Sequence, residues 1–286
     1  MNKQQSQLSV WHIISRIIVL AFLATILISG KGINTGSFEE KIRLLFIELG
    51  SSNTSSEKLR INNKIIVEFE IFLQNESSLF IELDSIPFLA KVTSDSGQLR
   101  IFTWNVPYED GTQKYFGFVQ LKSLDKYRWY KLEDKSDIIK SPEKEYLAFS
   151  NWYGMLYYQV IPVIKNGKTL YTLLGFDYND LFTNKKVIEI MYLSDDGLLQ
   201  FGMPVFETDT GLVNRVVFEY SSRVVMHLKY DNIDSIIIFD HLSPSNPRFV
   251  GQYRYYGPDF SFDSFFYNDG IWFQKKDIDV RNLPYF

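Results

Sequence analysis

The segment VIPVIKNGKTLYT, residues 160–172, decides the fold class that the sequence predicts. Its central Asn-Gly pair tolerates positive φ at both positions and separates two β-rich runs, so a two-residue type I′ turn is expected. That turn pairs Lys165 with Lys168 and, counting outward, Pro162 with Tyr171. Because proline has no N–H to donate, the other side of its strand must be an edge, a bulge or solvent at this point.

The same pattern of alternating side chains and short turns continues from Phe88 nearly to the end of the chain. The turns read EDGT, KNGK, SDDG and NDG, which are hairpin sequences, and the gaps between them hold no convincing helical pattern. Short connections between consecutive strands predict an antiparallel meander, and a sandwich, an open barrel and a propeller-like arrangement all remain open. Strands are expected near 99–106, 114–122, 127–132, 153–165, 168–176, 186–193, 213–220, 223–230, 234–240, 260–267 and 271–277.

Two amphipathic helices precede the strands. Apolar residues recur at helical spacing over about 38–49 and again over about 57–73. The predicted fold class is therefore α+β and β-dominated, with a helical N-terminal region at 31–87 and an antiparallel β domain at 88–286. The charged stretch 133–145 has the composition of a linker.

Residues 1–30 have the pattern of a signal peptide. The run IIVLAFLATILIS, residues 17–29, contains no charge, and its 13 residues suit a secretory apolar segment better than a bilayer span of about 20 residues. Lys3 and Arg16 precede it, and small residues follow it. We therefore expect export to the periplasm or beyond, with no membrane span after cleavage. The alternative is an inner-membrane anchor through residues 17–29.

Composition excludes several classes of function. The formal net charge is −4 and no basic tract occurs, so nucleic acid is an unexpected partner. There is no cysteine, which excludes thiolate metal sites and nucleophiles and suits a bacterial periplasm. No metal site and no cofactor are predicted. The DYND segment, residues 177–180, lacks the length and order of an EF-hand calcium loop.

The segment YYGPDFSFDSF, residues 255–265, places Asp259 and Asp263 among aromatic rings. On a regular strand both carboxylates face away from Phe260 and Phe262 and lie roughly 13 Å apart. A pair of glycosidase carboxylates requires about 5 Å or about 6.5–9.5 Å, so these two are not predicted to act together. We expect a polar, hydrated strand face, and a buried contact of Asp263 would instead favour a site.

The segment FDHLSP, residues 239–244, contains the strongest remaining candidate, His241. It follows a buried strand and opens into a loop, where functional groups are common, and a neutral imidazole serves as general base or ligand. Adjacent Asp240 points to the opposite face and is not expected to orient it. A histidine bound to a backbone carbonyl is the alternative explanation. Arg281, in the alternating segment KKDIDVRN, is a further candidate partner of Asp263.

Several segments resemble a family of uncharacterised exported proteins from bacteria of the Bacteroides/Flavobacterium kind. They include RIFTWNVPYEDGTQKYFGFVQ (100–120), NWYGMLYYQVIPV (151–163), GPDFSFDSF (257–265) and KKDIDVRN (275–282). The resemblance covers essentially the whole chain after the signal segment and implies an envelope location. It implies no activity and no catalytic residue.

Two functions follow from these observations as expectations. The first is a non-enzymatic, exported β-rich protein that binds or scaffolds an envelope component or polymer. The candidate ligand-binding residues are Asp240, His241, Asp259, Asp263 and Arg281. The second is a hydrolase acting on envelope or dietary polymers through His241 and a nearby carboxylate. Whether the protein is an enzyme is left open by the sequence.

Overall fold

The computed structural model describes residues 35–84, 86–123 and 126–280. It is β-dominated, with 48% of residues in strands and 20% in helices, which confirms the predicted fold class. The two expected helices are α1, Thr35–Ser51, and α2, Ser55–Leu73. Thr54 caps α2, its hydroxyl accepting a hydrogen bond from the Glu57 amide. The predicted signal segment lies outside the described residues, as does Arg281.

Three sheets follow the helices. Their strands are β1 Ala90–Thr93, β2 Leu99–Pro107, β3 Gln113–Ser123, β4 Lys126–Glu133, β5 Leu147–Ala148, β6 Leu156–Lys165, β7 Lys168–Asp177, β8 Thr183–Leu193, β9 Leu199–Phe201, β10 Phe206–Thr208, β11 Gly211–Val213, β12 Arg215–Ser221, β13 Leu228–Asp231, β14 Ile236–Pro244, β15 Tyr256–Asn268 and β16 Ile271–Lys275. The first sheet runs in the order β1-β2-β3-β4, and the second in the order β5-β9-β8-β7-β6 with β12 also paired to β8. The third sheet runs in the order β11-β10-β16-β15-β14-β13.

The layers stack face to face in the order helices, first sheet, second sheet, third sheet. Alternate residues of β2 explain this arrangement, because Trp104 packs against the helices whereas Ile101 packs against the second sheet. In the same way, Leu173 of β7 packs against the first sheet and Leu174 packs against the third. Strands of the inner layers are therefore apolar on both faces. Since the helices share a core with the first sheet, they are part of the same packed body.

The hairpin predicted from the Asn-Gly pair is confirmed. Lys165 lies opposite Lys168 and Pro162 lies opposite Tyr171, and the turn residue Asn166 has φ 51°. Strand β6 is the last strand of the second sheet, so Pro162 occupies an edge strand as its missing donor requires.

The third sheet departs from a simple meander in two ways. Strand β10 pairs in parallel with β16, with Phe206 opposite Trp272, and the β14–β15 ladder slips its register between Asp240 and Leu242. Strands β10 and β11 belong to the third sheet although the next strand of the chain, β12, belongs to the second, so β10 and β16 are distant in the chain. No helix in the described part of the chain is long and apolar enough to cross a membrane.

Candidate functional site

The bulge between β14 and β15 determines where the candidate residues His241 and Asp259 lie. Phe239 lies opposite Asp263 in regular register, but beyond Asp240 the ladder resumes only at Leu242. Phe260 has φ 72° and is 94% exposed, so alternation fails at this position. The regular strand assumed for residues 255–265 is therefore wrong around Phe260.

Asp263 is buried rather than hydrated, which corrects the expectation of a polar outer face. Directly opposed residues on antiparallel strands share a face, so Asp263 points to the same side as Phe239, toward the core between the second and third sheets. Its Oδ2 lies 3.0 Å from Nδ1 of His241, and its Oδ1 accepts the amide N–H of Asp277 at 3.0 Å. The carboxylate thereby fixes the imidazole.

Asp259 lies on the other side of the same imidazole. Its Oδ2 is 4.0 Å from His241 Nε2, so the bulge brings both carboxylates to one histidine, which the expected separation along a regular strand did not allow. Partial burial raises the pKa of Asp259, but hydrogen bonds from Ser261 outweigh this effect and leave the pKa below its usual value. The described contact of His241 Nδ1 is with a side-chain carboxylate, whereas the alternative explanation expected a backbone carbonyl as the partner of this histidine.

Asp240 belongs to a different contact. Its Oδ2 accepts the backbone N–H of His227 at 2.7 Å and lies 3.1 Å from His227 Nδ1. This arrangement agrees with the expectation that Asp240 does not orient His241. Of the five predicted residues, the structure thus brings together His241, Asp259 and Asp263.

A polar cleft between the first and second sheets brings together residues that sequence analysis did not single out as a site. It has a volume of about 410 Å³. Strand β3 and the 136–143 segment form one wall, and strands β7, β8 and β12 form the other. The segment interpreted as a linker is therefore part of the cleft. Among the lining residues, the polar cluster consists of Tyr115, Tyr153, Asp177, Lys185 and Glu219.

Three of these residues form a row across adjacent strands, which we call the charged row. Lys185 on β8 lies opposite Asp177 on β7 and also opposite Glu219 on β12. Directly opposed side chains share a sheet face and have Cβ atoms about 4.5–5.5 Å apart. One ammonium group is therefore flanked by two carboxylates on the wall of the cleft.

Asp177 is buried and fixed by two donors. Its Oδ1 accepts a hydrogen bond from the Tyr115 hydroxyl at 2.8 Å and another from the Asn179 amide N–H at 2.7 Å. Burial raises the pKa of Asp177, and the hydrogen bonds from Asn179 and Tyr115 together with the charge of nearby Lys185 only partly offset this. No donor among the described residues reaches Oδ2, so this oxygen keeps its capacity to accept a hydrogen bond.

Lys185 is held as a charged donor. Its Nζ donates to Asn179 Oδ1 at 2.8 Å and lies 3.4 Å from the Tyr153 hydroxyl. Burial lowers the pKa of Lys185, but the charges of Tyr153, Asp177 and Glu219 and the hydrogen bond with Tyr153 outweigh it, and the pKa is raised. The third N–H of the ammonium group is available to a ligand.

A fully buried ion pair lies further along the same sheet face. Arg215 Nε donates to Glu189 Oε2 at 2.6 Å, and both side chains have no exposed surface. The Tyr157 hydroxyl donates to the other Glu189 oxygen, and Trp152 donates to that hydroxyl at 2.7 Å. Arg215 lies opposite Glu189 just as Glu219 lies opposite Lys185, so the two polar groups are four residue pairs apart on the same face of the β8–β12 ladder.

A larger groove of about 680 Å³ lies elsewhere, between the edge strands β1, β6 and β13. Pro162 and Tyr230 line it, whereas His241, Asp259 and Asp263 do not. Within residues 35–84, 86–123 and 126–280, no three metal-binding side chains converge on a possible ion position.

The cleft was missed because its lining residues come from five separate stretches of chain, and within each stretch they follow an ordinary strand or loop pattern. Asp177 entered the sequence analysis only as part of an unsuitable calcium loop. The one available signal was the occurrence of charged residues in strands that are otherwise buried. Comparison of the chain with family models, curated proteins and solved structures returns no match.

Proposed function

We propose that the protein is an exported binding protein of the cell envelope, and that it holds a ligand in the cleft without converting it. The observation that carries this proposal is the charged row of Asp177, Lys185 and Glu219. Each side chain is held by protein partners and lines the cleft, and each keeps a donor or acceptor that no hydrogen bond among the described residues uses. Convergent polar groups in a concave site of this size are typical of small-molecule binding.

The state of Lys185 supports binding over covalent catalysis. A nucleophilic lysine requires a lowered pKa, whereas the pKa of Lys185 is raised. A charged ammonium group is suited to donating hydrogen bonds to a bound molecule. Asp177 and Glu219 then serve as acceptors in the same site.

Thermal unfolding with a panel of small molecules tests this function. The panel contains neutral sugars, amino acids, polyamines, phosphate and nucleotides, each at saturating concentration. A ligand that binds the folded state should raise Tm by several degrees. The shift should disappear in Lys185→Met. The matched control is Lys186→Met, because Lys186 is the next residue of β8, on the opposite face, over the ring of Tyr158. A panel without any Lys185-dependent shift would contradict the proposal.

A hydrolase centred on His241 is the second candidate. The 3.0 Å contact between His241 and Asp263 supports it, because a buried carboxylate at Nδ1 orients an imidazole for proton transfer at Nε2. Chromogenic esters and glycosides provide the test. Hydrolysis lost in both His241→Ala and Asp263→Asn supports the hydrolase, and wild-type protein inert toward the whole panel argues against it.

Export itself rests on the uncharged run at 17–29 and the basic residues before it. The family resemblance supports the same envelope location. Mass spectrometry of the protein from its native host should find a mature chain that begins near residue 31. An intact Met1 in the envelope fraction would favour the anchor through residues 17–29.

A further inference from the structure

We propose that the ligand of the cleft carries vicinal hydroxyl groups and belongs to the neutral saccharides. This inference rests on the proposed function, since it assigns a chemical class to the molecule held by the charged row. The row presents an acceptor, a donor and an acceptor in sequence across three strands, in the order Asp177, Lys185, Glu219. A diol presents two groups that each donate and accept, which matches this alternation.

The unused hydrogen-bonding capacity of the row fits two hydroxyl groups. Asp177 offers Oδ2, Lys185 offers its third N–H, and Glu219 offers Oε2, because its Oε1 already accepts the Thr183 hydroxyl at 3.0 Å. A hydroxyl between Asp177 and Lys185 donates to the carboxylate and accepts from the remaining N–H of the ammonium. Its neighbour donates to Glu219 Oε2 and shares the same N–H as a three-centre hydrogen bond. Both hydrogen bonds to each hydroxyl then involve a charged group and are stronger than neutral ones.

Charge at the cleft disfavours anionic ligands. Two lysines line it, Lys140 and Lys185, whereas four carboxylate side chains do, those of Asp137, Glu143, Asp177 and Glu219. The carboxylates repel phosphate, sulfate or a ligand carboxylate. They attract an ammonium ligand, but at the centre of the row such a ligand meets the like charge of Lys185. A neutral molecule with many hydroxyls is repelled by neither set of charges.

The remaining wall suits the carbon skeleton of a sugar. Ile139 and Val217 line the same cleft and are partly buried. They offer apolar contact to the C–H face of a pyranose ring while its hydroxyls face the charged row. The hydroxyls of Tyr115 and Tyr153 are already oriented toward Asp177 and Lys185 and keep those two groups in place.

Calorimetric titration of the full protein tests the class. The probes are methyl glycosides of glucose, galactose and mannose, their 2-deoxy and 3-deoxy analogues, inorganic phosphate and spermidine. At least one methyl glycoside should bind, and removal of one hydroxyl of the recognised pair should weaken it about tenfold or more. Lys185→Met and Glu219→Gln should each weaken the same glycoside to a similar extent, and Lys186→Met should leave it unchanged. Glu219→Gln keeps the side-chain shape, so it serves if Lys185→Met does not fold.

Three outcomes would overturn the inference. In the first, phosphate or spermidine binds in a way that depends on Lys185, and no glycoside binds. The cleft is then still a binding site, but its ligand belongs to another chemical class. Glycoside binding that survives both cleft variants places the sugar elsewhere. Equal affinity for a glycoside and all of its deoxy analogues removes the role of the diol.

Discussion

The carboxylate of Asp263 lies 3.0 Å from Nδ1 of His241, although the two residues are on neighbouring strands whose register slips between them. Asp263 is only 2% exposed, whereas the side chain of His241 is 40% exposed. Asp263 is therefore part of the core, whereas His241 lies at the surface and contacts it.

Asp263→Ala should destabilise the fold by about 1–3 kcal/mol, because the Asp277 amide and the His241 ring lose their buried acceptor. Urea titrations of the variant and the wild type measure the difference. The matched control is Asp259→Ala on the same strand, where the carboxylate is exposed and a change within about 0.5 kcal/mol is expected. Equal, small effects of both substitutions would show that Asp263 is hydrated in solution.

Glu189→Ala should lower the free energy of unfolding by about 3–5 kcal/mol, because it leaves the charge of Arg215 buried without a counter-ion. Replacing both residues by methionine should recover most of that loss, since the uncompensated charge is then removed as well. The exposed pair of Lys168 and Asp195 is the control, and Asp195→Ala should have no measurable effect. A double variant as unstable as Glu189→Ala would assign the loss to packing rather than charge.

Gly117→Ala should destabilise the first sheet by about 1–3 kcal/mol. A Cβ at this position would lie 2.7 Å from the backbone carbonyl oxygen of Phe102, which cannot rotate away as a flexible side chain does. Gly257→Ala provides the comparison, because its nearest neighbour is a Val224 methyl group at 3.5 Å and its φ is not positive. Denaturant midpoints should fall for the first variant only. If the midpoint falls equally in both variants, the loss of stability comes from a change in strand flexibility and not from the contact with Phe102.

The raised pKa of Asp177 predicts the pH dependence of the cleft. Ionisation of this buried carboxyl is harder in the folded chain than in the unfolded chain, where its pKa is near 3.8. Wild-type stability relative to Asp177→Asn should therefore decrease as the pH rises above about 3.8 through the folded pKa, and stay lower at neutral pH. Urea titrations of both chains from about pH 3 to about pH 7 measure the difference. An increase in this relative stability over the same pH range would mean that the attraction between Lys185 and the Asp177 carboxylate outweighs the cost of burying the carboxylate.

The fold class and the central hairpin could be predicted because their causes are local. Alternation of side chains and the positive φ of Asn166 act within a few residues, so the pairing of Lys165 with Lys168 followed from counting alone. The helical periodicity of α1 and α2 was equally local. Short strands such as β10 were missed, since three residues carry too little periodicity to be recognised.

The candidate sites depend on contacts that counting along a strand cannot supply. Slippage of one ladder placed Asp259 and Asp263 around His241, whereas the regular pairing of Asp263 with Phe239 turned an expected polar face into a buried one.

The sequence by itself determined the helices, most strands and the turns, because φ preferences and side-chain periodicity are properties of neighbouring residues. Tertiary structure decided which strands became neighbours and which faces met. Only the pairing of β12 with β8 sets Glu219 beside Lys185, and only the stacking of the first sheet on the second encloses them. Burial then raised the pKa of Asp177, and the charges that neighbouring strands place around Lys185 raised its pKa, because both effects depend on the surrounding layers and not on the order of residues in the chain.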